Sequence, residues 1–200
     1  MHQLDLIVGP MYSAKSSRLI ESVNRGLIGG KKLLAVRPQR DARVTQPLIT
    51  SRFGDMQVPA QLVAHSREIL TLMTPDTDIV AIDESQFFDP EIVEVVYSIR
   101  RSARVVASGL NRDFRGLPFG PIPQLLAMAS TITLLSAICS VCGEDAEYSQ
   151  RLTKGQPSSA FTEDILIEGQ QANDLYEPRC RIHFQPPPDL DIWLRTRYCP

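Results

Sequence analysis

Apolar positions along the first 138 residues switch between two periodicities. Leu4–Val8 is a short, nearly unbroken apolar run closed by Gly9-Pro10, the pattern of a buried strand. From Ser16 the pattern becomes helical: Leu19, Ile20, Val23 and Leu27 share one face until Gly29-Gly30. Residues 33–36 read as a second buried strand ended by Pro38, and residues 78–82, 105–110 and 131–137 as further strands. Between them, residues 66–72 predict a short helix and residues 121–129 a longer one. Asp89-Pro90 supplies an N-cap and a proline at the first helical position, ahead of the stripe Ile92, Val95, Val96 and Ile99. Residues 41–60 show little periodicity and read as a mobile loop. Strands alternating with helices over residues 1–138 predict a parallel sheet covered by helices, an α/β fold.

The pattern changes at Cys139. Short β-like runs at 148–152 and 164–167 lie between polar turns, so residues 139–184 read as a small β domain. Residues 185–200 open with Gln185-Pro186-Pro187-Pro188 and read as an extended or disordered tail. No internal repeat is visible.

Composition narrows the function. The 200 residues are 43% apolar and 22% charged, which is ordinary for a globular chain that builds its core without disulfides. A net charge of −2 argues against a dedicated nucleic-acid binder. The charge is uneven: residues 1–52 carry nine Lys/Arg against three Asp/Glu, a basic first quarter suited to polyphosphate. No apolar run approaches the roughly 18 residues of a membrane span. The N-terminus lacks the basic and apolar regions of a signal peptide, so a cytoplasmic protein is expected.

Three constellations carry chemistry. Gly9-Pro10-Met11-Tyr12-Ser13-Ala14-Lys15-Ser16 lies between a strand and a helix, the setting of a P-loop. Backbone N–H groups of Gly9, Met11, Tyr12, Ser13 and Ala14 would form an anion nest at a helix N-terminus. Lys15 would meet the β- and γ-phosphates of ATP and Ser16 would hold Mg²⁺. The second glycine of the P-loop pattern is Ala14, whose Cβ could crowd the phosphates or strain the backbone. The apolar run ending in Asp83-Glu84 has the form of a Walker B element. Asp83 would help hold Mg²⁺ and Glu84 would accept a proton from an attacking hydroxyl. Gln86 is grouped with the nucleotide- and Mg²⁺-binding residues. Asp83-Glu84-Ser85-Gln86 is also similar to a helicase box, although a helicase motor normally needs two such domains. Finally, Cys139-x-x-Cys142 and Cys180-x-x-His183, 37 residues apart, can close a four-ligand structural zinc site. Cys199 is read as a bystander.

Together these residues resemble the type II thymidine kinases, the family of the human cytosolic enzyme and most bacterial ones. The likeness runs from about Leu4 to His183. It rests on GPMYSAKS, the stretch Asp83 to Phe88, the stretch Asp113 to Gly120, CSVCG and YEPRCRIH. The resemblance implies a RecA-like P-loop domain followed by a zinc domain carrying a lasso loop. It implies transfer of the ATP γ-phosphate to the 5′-hydroxyl of thymidine, with Lys15, Ser16 and Asp83 at the phosphates and Mg²⁺, and Glu84 as base. Asp41 and Arg43 match a D-x-R pair that approaches the phosphates. Met11, Phe87, Leu110, Phe114 and Phe119 match the apolar wall around thymine, Ser149 a small hydroxyl residue near the base, and Tyr176 the aromatic residue of the lasso.

Three departures from the family pattern stand out: Ala14, Asn111 where an acid is common, and a longer lasso over residues 165–176. The resemblance also implies a homotetramer inhibited by thymidine triphosphate, acting on small molecules rather than on nucleic acid or membranes. Two other readings stay open: a nucleotide-binding protein with catalysis weakened by Ala14, and a zinc-ribbon P-loop ATPase acting on nucleic acid.

Overall fold

The computed structural model describes residues 1–39, 47–51, 56–163 and 174–198. The chain runs β1 (Leu4–Val8), α1 (Lys15–Ile28), β2 (Leu33–Pro38), β3 (Leu48–Thr50), β4 (Gln57–Pro59), β5 (Gln61–Val63), α2 (Glu68–Leu72), β6 (Ile79–Ile82), α3 (Ile92–Ile99), β7 (Arg104–Gly109), α4 (Ile122–Met128) and β8 (Thr131–Leu134). It continues through β9 (Ala137–Ile138), β10 (Asp145–Ala146), β11 (Tyr148–Thr153), β12 (Gln156–Pro157), β13 (Asp174–Arg179) and α5 (Leu190–Tyr198). Two compact units result. One holds Met1–Gly9, Ala14–Asn111 and Phe119–Leu135; the other holds Pro10–Ser13, Arg112–Pro118 and Ser136–Pro200.

The first unit is built on a parallel sheet of six described strands in the order β5-β2-β6-β7-β1-β8. The expected α/β architecture is therefore present. Because successive side chains of a strand point to opposite faces, one apolar run supplies two cores. Leu4, Leu6, Val8, Val80, Ile82, Val105 and Ala107 line one face, covered by Ile92, Val96 and Ile99 of α3 and Ile122 and Leu125 of α4. Ile7, Ile79, Ala81 and Val106 line the other, covered by Leu19, Ile20 and Val23 of α1. Each such side chain, fully buried, contributes about 1.5–3 kcal/mol. Leu27, placed on the α1 stripe from its spacing, is exposed.

Residues 41–60 differ from the loop expected there. Leu48 pairs with Pro59 and Thr50 with Gln57 in an antiparallel hairpin, and Ile49 and Val58 are buried in the core beneath α1. With one buried residue per three-residue strand, no period can show in the sequence. Residues 40–46 and 52–55 lie outside the described residues. β5, also too short to show a period, adds a parallel edge strand beside β2. The predicted strand over 131–137 divides: β8 joins the main sheet, while Ala137 pairs with Ala146 in a separate two-stranded sheet. The helix expected from Asp89-Pro90 starts later, at Ile92 with Glu91 as its N-cap, while the Asp89 carboxylate accepts the Glu91 N–H (3.1 Å) and the Ser66 N–H (2.9 Å) in the turn before it.

In the second unit β11 pairs antiparallel with β12 and β13. Lys154-Gly155, both at positive φ, make the two-residue turn between β11 and β12. The run at 164–167 lies outside the described residues. The segment after the three prolines is helical over Leu190–Tyr198 rather than extended. Asp191 in its first turn and Arg195 and Arg197 in its last complement the helix dipole, and Trp193 is buried. Among the described residues, no helix is long and apolar enough to cross a membrane.

Candidate active site and metal centre

Parallel α/β sheets place their ligands beyond the carboxyl ends of the strands. In the first unit the neighbouring strands β6, β7 and β1 end at Ile82, Gly109 and Val8. Ser16, in the first turn of α1, donates its hydroxyl to Asp83, with Oγ 3.2 and 3.3 Å from the two carboxylate oxygens. Ser108, the penultimate residue of β7, also donates a hydroxyl to Asp83. Arg37 of β2 sets Nε 3.9 Å from Asp83 Oδ2 and donates from its guanidinium to the Leu48 carbonyl at 2.9 Å. Burial pushes the Asp83 carboxyl pKa up, and the charge of Glu84 adds to the shift; Arg37 and the Ser108 hydroxyl oppose it. A part-buried hydroxyl–carboxylate pair at this edge fits a hard divalent cation, which takes oxygen ligands.

Glu84 is the next residue and adopts left-handed backbone, φ 52°. For a non-glycine residue this conformation costs on the order of 1–3 kcal/mol and clusters at functional sites. Its carboxylate accepts from Gln86 Nε2 at 2.5 Å, while Gln86 Oε1 accepts the Leu110 N–H at 2.9 Å. Gln86 is itself buried, so one amide ties the candidate base to the backbone beyond β7. Gly120 abuts the same turn: at φ +51°, a Cβ there would lie 2.3 Å from the Gln86 carbonyl oxygen. Phe87 and Phe119 meet edge to face, with centroids 5.6 Å apart.

Gly9 closes β1 and Lys15 opens α1. Between them Tyr12 and Ala14 are at positive φ, 66° and 60°, while Met11 and Ser13 are not. Alternating φ signs along a short loop turn successive N–H groups toward one side, the backbone form of an anion nest. Ala14 caps α1 without a side-chain hydrogen bond, and its carbonyl accepts the Arg18 N–H at 3.0 Å.

The second unit holds the other residues expected around a base. The Ser149 hydroxyl accepts the Met11 N–H at 2.9 Å, and Ser13 donates to the Pro10 carbonyl at 2.8 Å. Phe114 is buried with two guanidiniums close to its ring, Arg115 at 4.3 Å and Arg151 at 5.2 Å. Tyr176 lies opposite Arg151 in the β11–β13 register, 5.9 Å from its guanidinium. Asp41, Arg43 and the lasso residues 165–173 lie outside the described residues.

Cys139, Cys142, Cys180 and His183 converge, their ligand atoms all within 4.8 Å of one another. Cys142 Sγ is 3.8 Å from Cys180 Sγ, and His183 Nδ1 is 3.3 Å from Cys180 Sγ and 3.9 Å from Cys139 Sγ. Ligands on a tetrahedral zinc lie roughly 3.5–3.8 Å apart, given the usual bond lengths. The cluster could therefore hold zinc, with all four positions filled by protein. Gly143, at φ +77°, makes the turn after the first pair, where the Cys139 N–H donates to the Glu144 carbonyl at 2.7 Å. Burial works against ionising the Cys139 thiol. Backbone N–H groups of Cys180, Val141 and Cys142 outweigh it, bringing the pKa down to about 6, which suits a thiolate ligand.

Sequence reasoning missed Ser108, Arg37, Arg115 and Arg151. The first two carried a signal, a polar residue near the carboxyl end of an otherwise apolar strand. Arg115 and Arg151 carried none, because Ala160 and Trp193 around the first and Phe114 and Tyr176 around the second are distant in sequence. The chain thus has a hydroxyl–carboxylate pair at the strand ends, an acid beside it and, further on, a Cys3His cluster that could hold a metal. The thymidine kinase family model matches residues 2–184. A match over that span takes in both units and all of these groups, and the chain belongs to the thymidine kinase family.

Proposed function

We propose that the protein transfers the γ-phosphate of ATP to the 5′-hydroxyl of thymidine, yielding thymidine monophosphate for DNA precursor synthesis. The observation that carries this reading is the Ser16–Asp83 pair beside Glu84 at the ends of β1 and β6. Ser16 and Asp83 would hold Mg²⁺, which supplies charge neutralisation at the transferring phosphate. Lys15 and the backbone of Gly9, Met11, Tyr12, Ser13 and Ala14 bind the phosphates, and Asp41 and Arg43 approach them. Gln86 belongs to the same nucleotide site by position and holds Glu84 by its hydrogen bond. Glu84 takes the 5′-hydroxyl proton as that oxygen bonds to the γ-phosphorus, and the bond to the β–γ bridging oxygen breaks to release ADP. Met11, Phe87, Leu110, Phe114, Phe119, Ser149 and Tyr176 contact the nucleoside. Zinc is structural. The family resemblance supports a cytoplasmic homotetramer inhibited by thymidine triphosphate, without nucleic-acid or membrane partners.

A second reading, nucleotide binding with weakened turnover, is favoured by one observation: Ala14 occupies left-handed backbone where a P-loop has glycine. Incubation with Mg-ATP and each nucleoside separates the two. Thymidine monophosphate supports the first reading, and ATP binding without product supports the second. ATP hydrolysis stimulated only by DNA or RNA would sink both. Glu84→Gln should retain nucleotide binding and lose turnover by roughly 10²–10⁴-fold. Turnover that survives the change removes Glu84 from its role.

A further inference from the structure

We propose that the C-terminal helix α5 is a positioning element for the nucleoside-binding residues of the second unit, acting through Asp189 and Trp193; this rests on the thymidine kinase reading. Asp189 directly precedes α5, and its carboxylate accepts the Ala160 N–H at 2.7 Å and the Ser159 hydroxyl at 2.5 Å. The carbonyl of the same Ala160 accepts Arg115 Nε at 2.8 Å and Nη2 at 2.6 Å. Ala160 is thus held at both ends of its backbone, one end by α5 and the other by Arg115.

Trp193, only 9% exposed, lies 4.5 Å from the Arg115 guanidinium. That guanidinium is 4.3 Å from the Phe114 ring and bonds the Asp113 carboxylate at 3.0 Å. Trp193, Arg115 and Phe114 therefore form one contact chain. Arg151 extends it: fully buried, it approaches both Phe114 and Tyr176.

A buried guanidinium is fixed only while its donors are met and its faces are covered. Arg115 meets the first condition through Ala160, Thr162 and Asp113. Trp193 supplies cover for the second. Removing the indole admits water to the guanidinium and releases the aromatic side chain of Phe114 from its fixed place. Trp193 and Asp189 are accordingly positioning residues, since neither is assigned contact with substrate. Of the residues proposed at the phosphates, Lys15, Ser16 and Asp83 belong to the first unit and Met11, Tyr12 and Ser13 to the second; none is a member of this contact chain.

Two measurements test the proposal on the full-length protein. Trp193 is the single tryptophan, so its emission reports on this contact chain alone. Titration with thymidine should change that emission saturably, whereas ATP alone should not. In steady-state kinetics, Trp193→Ala and Asp189→Ala should raise the thymidine KM about five- to tenfold, the scale of losing one cation–π contact or charged hydrogen bond. The ATP KM should move less than about twofold, the bound for residues that share no partner with the altered ones. Trp193→Phe should restore the thymidine KM. An unchanged thymidine KM in both alanine variants would overturn the proposal. So would a parallel rise in both KM values with a lowered Tm and no rescue by Trp193→Phe, which marks a purely structural role. Trp193 emission indifferent to saturating thymidine in an enzyme that turns over would overturn it as well. Failure of the wild-type protein to phosphorylate thymidine defeats the underlying reading instead. The emission change on nucleoside binding then decides the role of α5 separately.

Discussion

Replacing Ala14 by glycine opposes two effects of known size. Ala14 stands at φ 60°, ψ 28°, the left-handed region, as the N-cap of α1. An L-residue with a Cβ gives up about 1–2 kcal/mol there relative to right-handed backbone. Glycine escapes that cost but loses more freedom on folding, about 0.5–1 kcal/mol relative to alanine. The difference favours Ala14→Gly by roughly 0–1.5 kcal/mol. For a chain of this length, that is a rise in Tm of up to about 5 °C. Ala14→Val should fall in the opposite direction, because a β-branched residue at positive φ is a severe outlier. The assay is thermal unfolding of the ligand-free protein, paired with steady-state kinetics in ATP and thymidine. If Ala14 is only strained, stability rises and kcat stays within about twofold, below the scale of a catalytic interaction. If its Cβ also crowds the phosphates, the ATP KM falls as well. A Tm that drops by several degrees in Ala14→Gly, or one that is unmoved in Ala14→Val, would show that the left-handed conformation carries no cost here.

Gly120→Ala places a Cβ 2.3 Å from the Gln86 carbonyl in a left-handed conformation. The turn that holds Glu84 must shift, and a misplacement of that size costs on the order of 10²-fold in kcat/KM; activity within twofold of wild type would contradict it. Asp83 has a raised folded pKa, so between its unfolded value and that raised value the folded state binds more protons than the unfolded. Its ionisation therefore lowers the stability of the ligand-free protein as pH rises through that window. Asp83→Asn should gain about 1 kcal/mol at neutral pH and lose Mg-ATP binding; urea unfolding at acidic and neutral pH checks the sign, and a less stable variant at neutral pH would count against it. Chelation of zinc, or Cys180→Ser, should remove a linkage of about 10 kcal/mol or more in structural zinc sites and unfold the second unit. Metal analysis with circular dichroism follows this, and a fully folded, metal-free protein would exclude the structural role.

Much of the first unit was legible because its signals are local. Leu4–Val8 and Ile79–Ile82 are buried on both faces, so their apolar character shows without knowledge of their partners. The candidate phosphate loop, Asp83-Glu84 and the paired Cys and His residues are likewise short patterns that show in the sequence without knowledge of their partners. The β3–β4 hairpin and β5 were not legible. Their strands are three residues long, and only their partners define them.

Residue order along the chain was enough to establish the parallel fold, the acidic pair at the end of β6 and the composition of the metal cluster. Tertiary structure decided which groups act on these. Ser108 reaches Asp83 across adjacent strands, Gln86 ties Glu84 to Leu110, and Trp193 covers an arginine seventy-eight positions earlier in the chain. It also decided that Ala14 sits in left-handed backbone. The physical reason is common to these cases. A periodicity or motif records what a residue needs from its neighbours in the chain, whereas hydrogen-bond partners, burial and backbone strain are set by segments that meet only on folding.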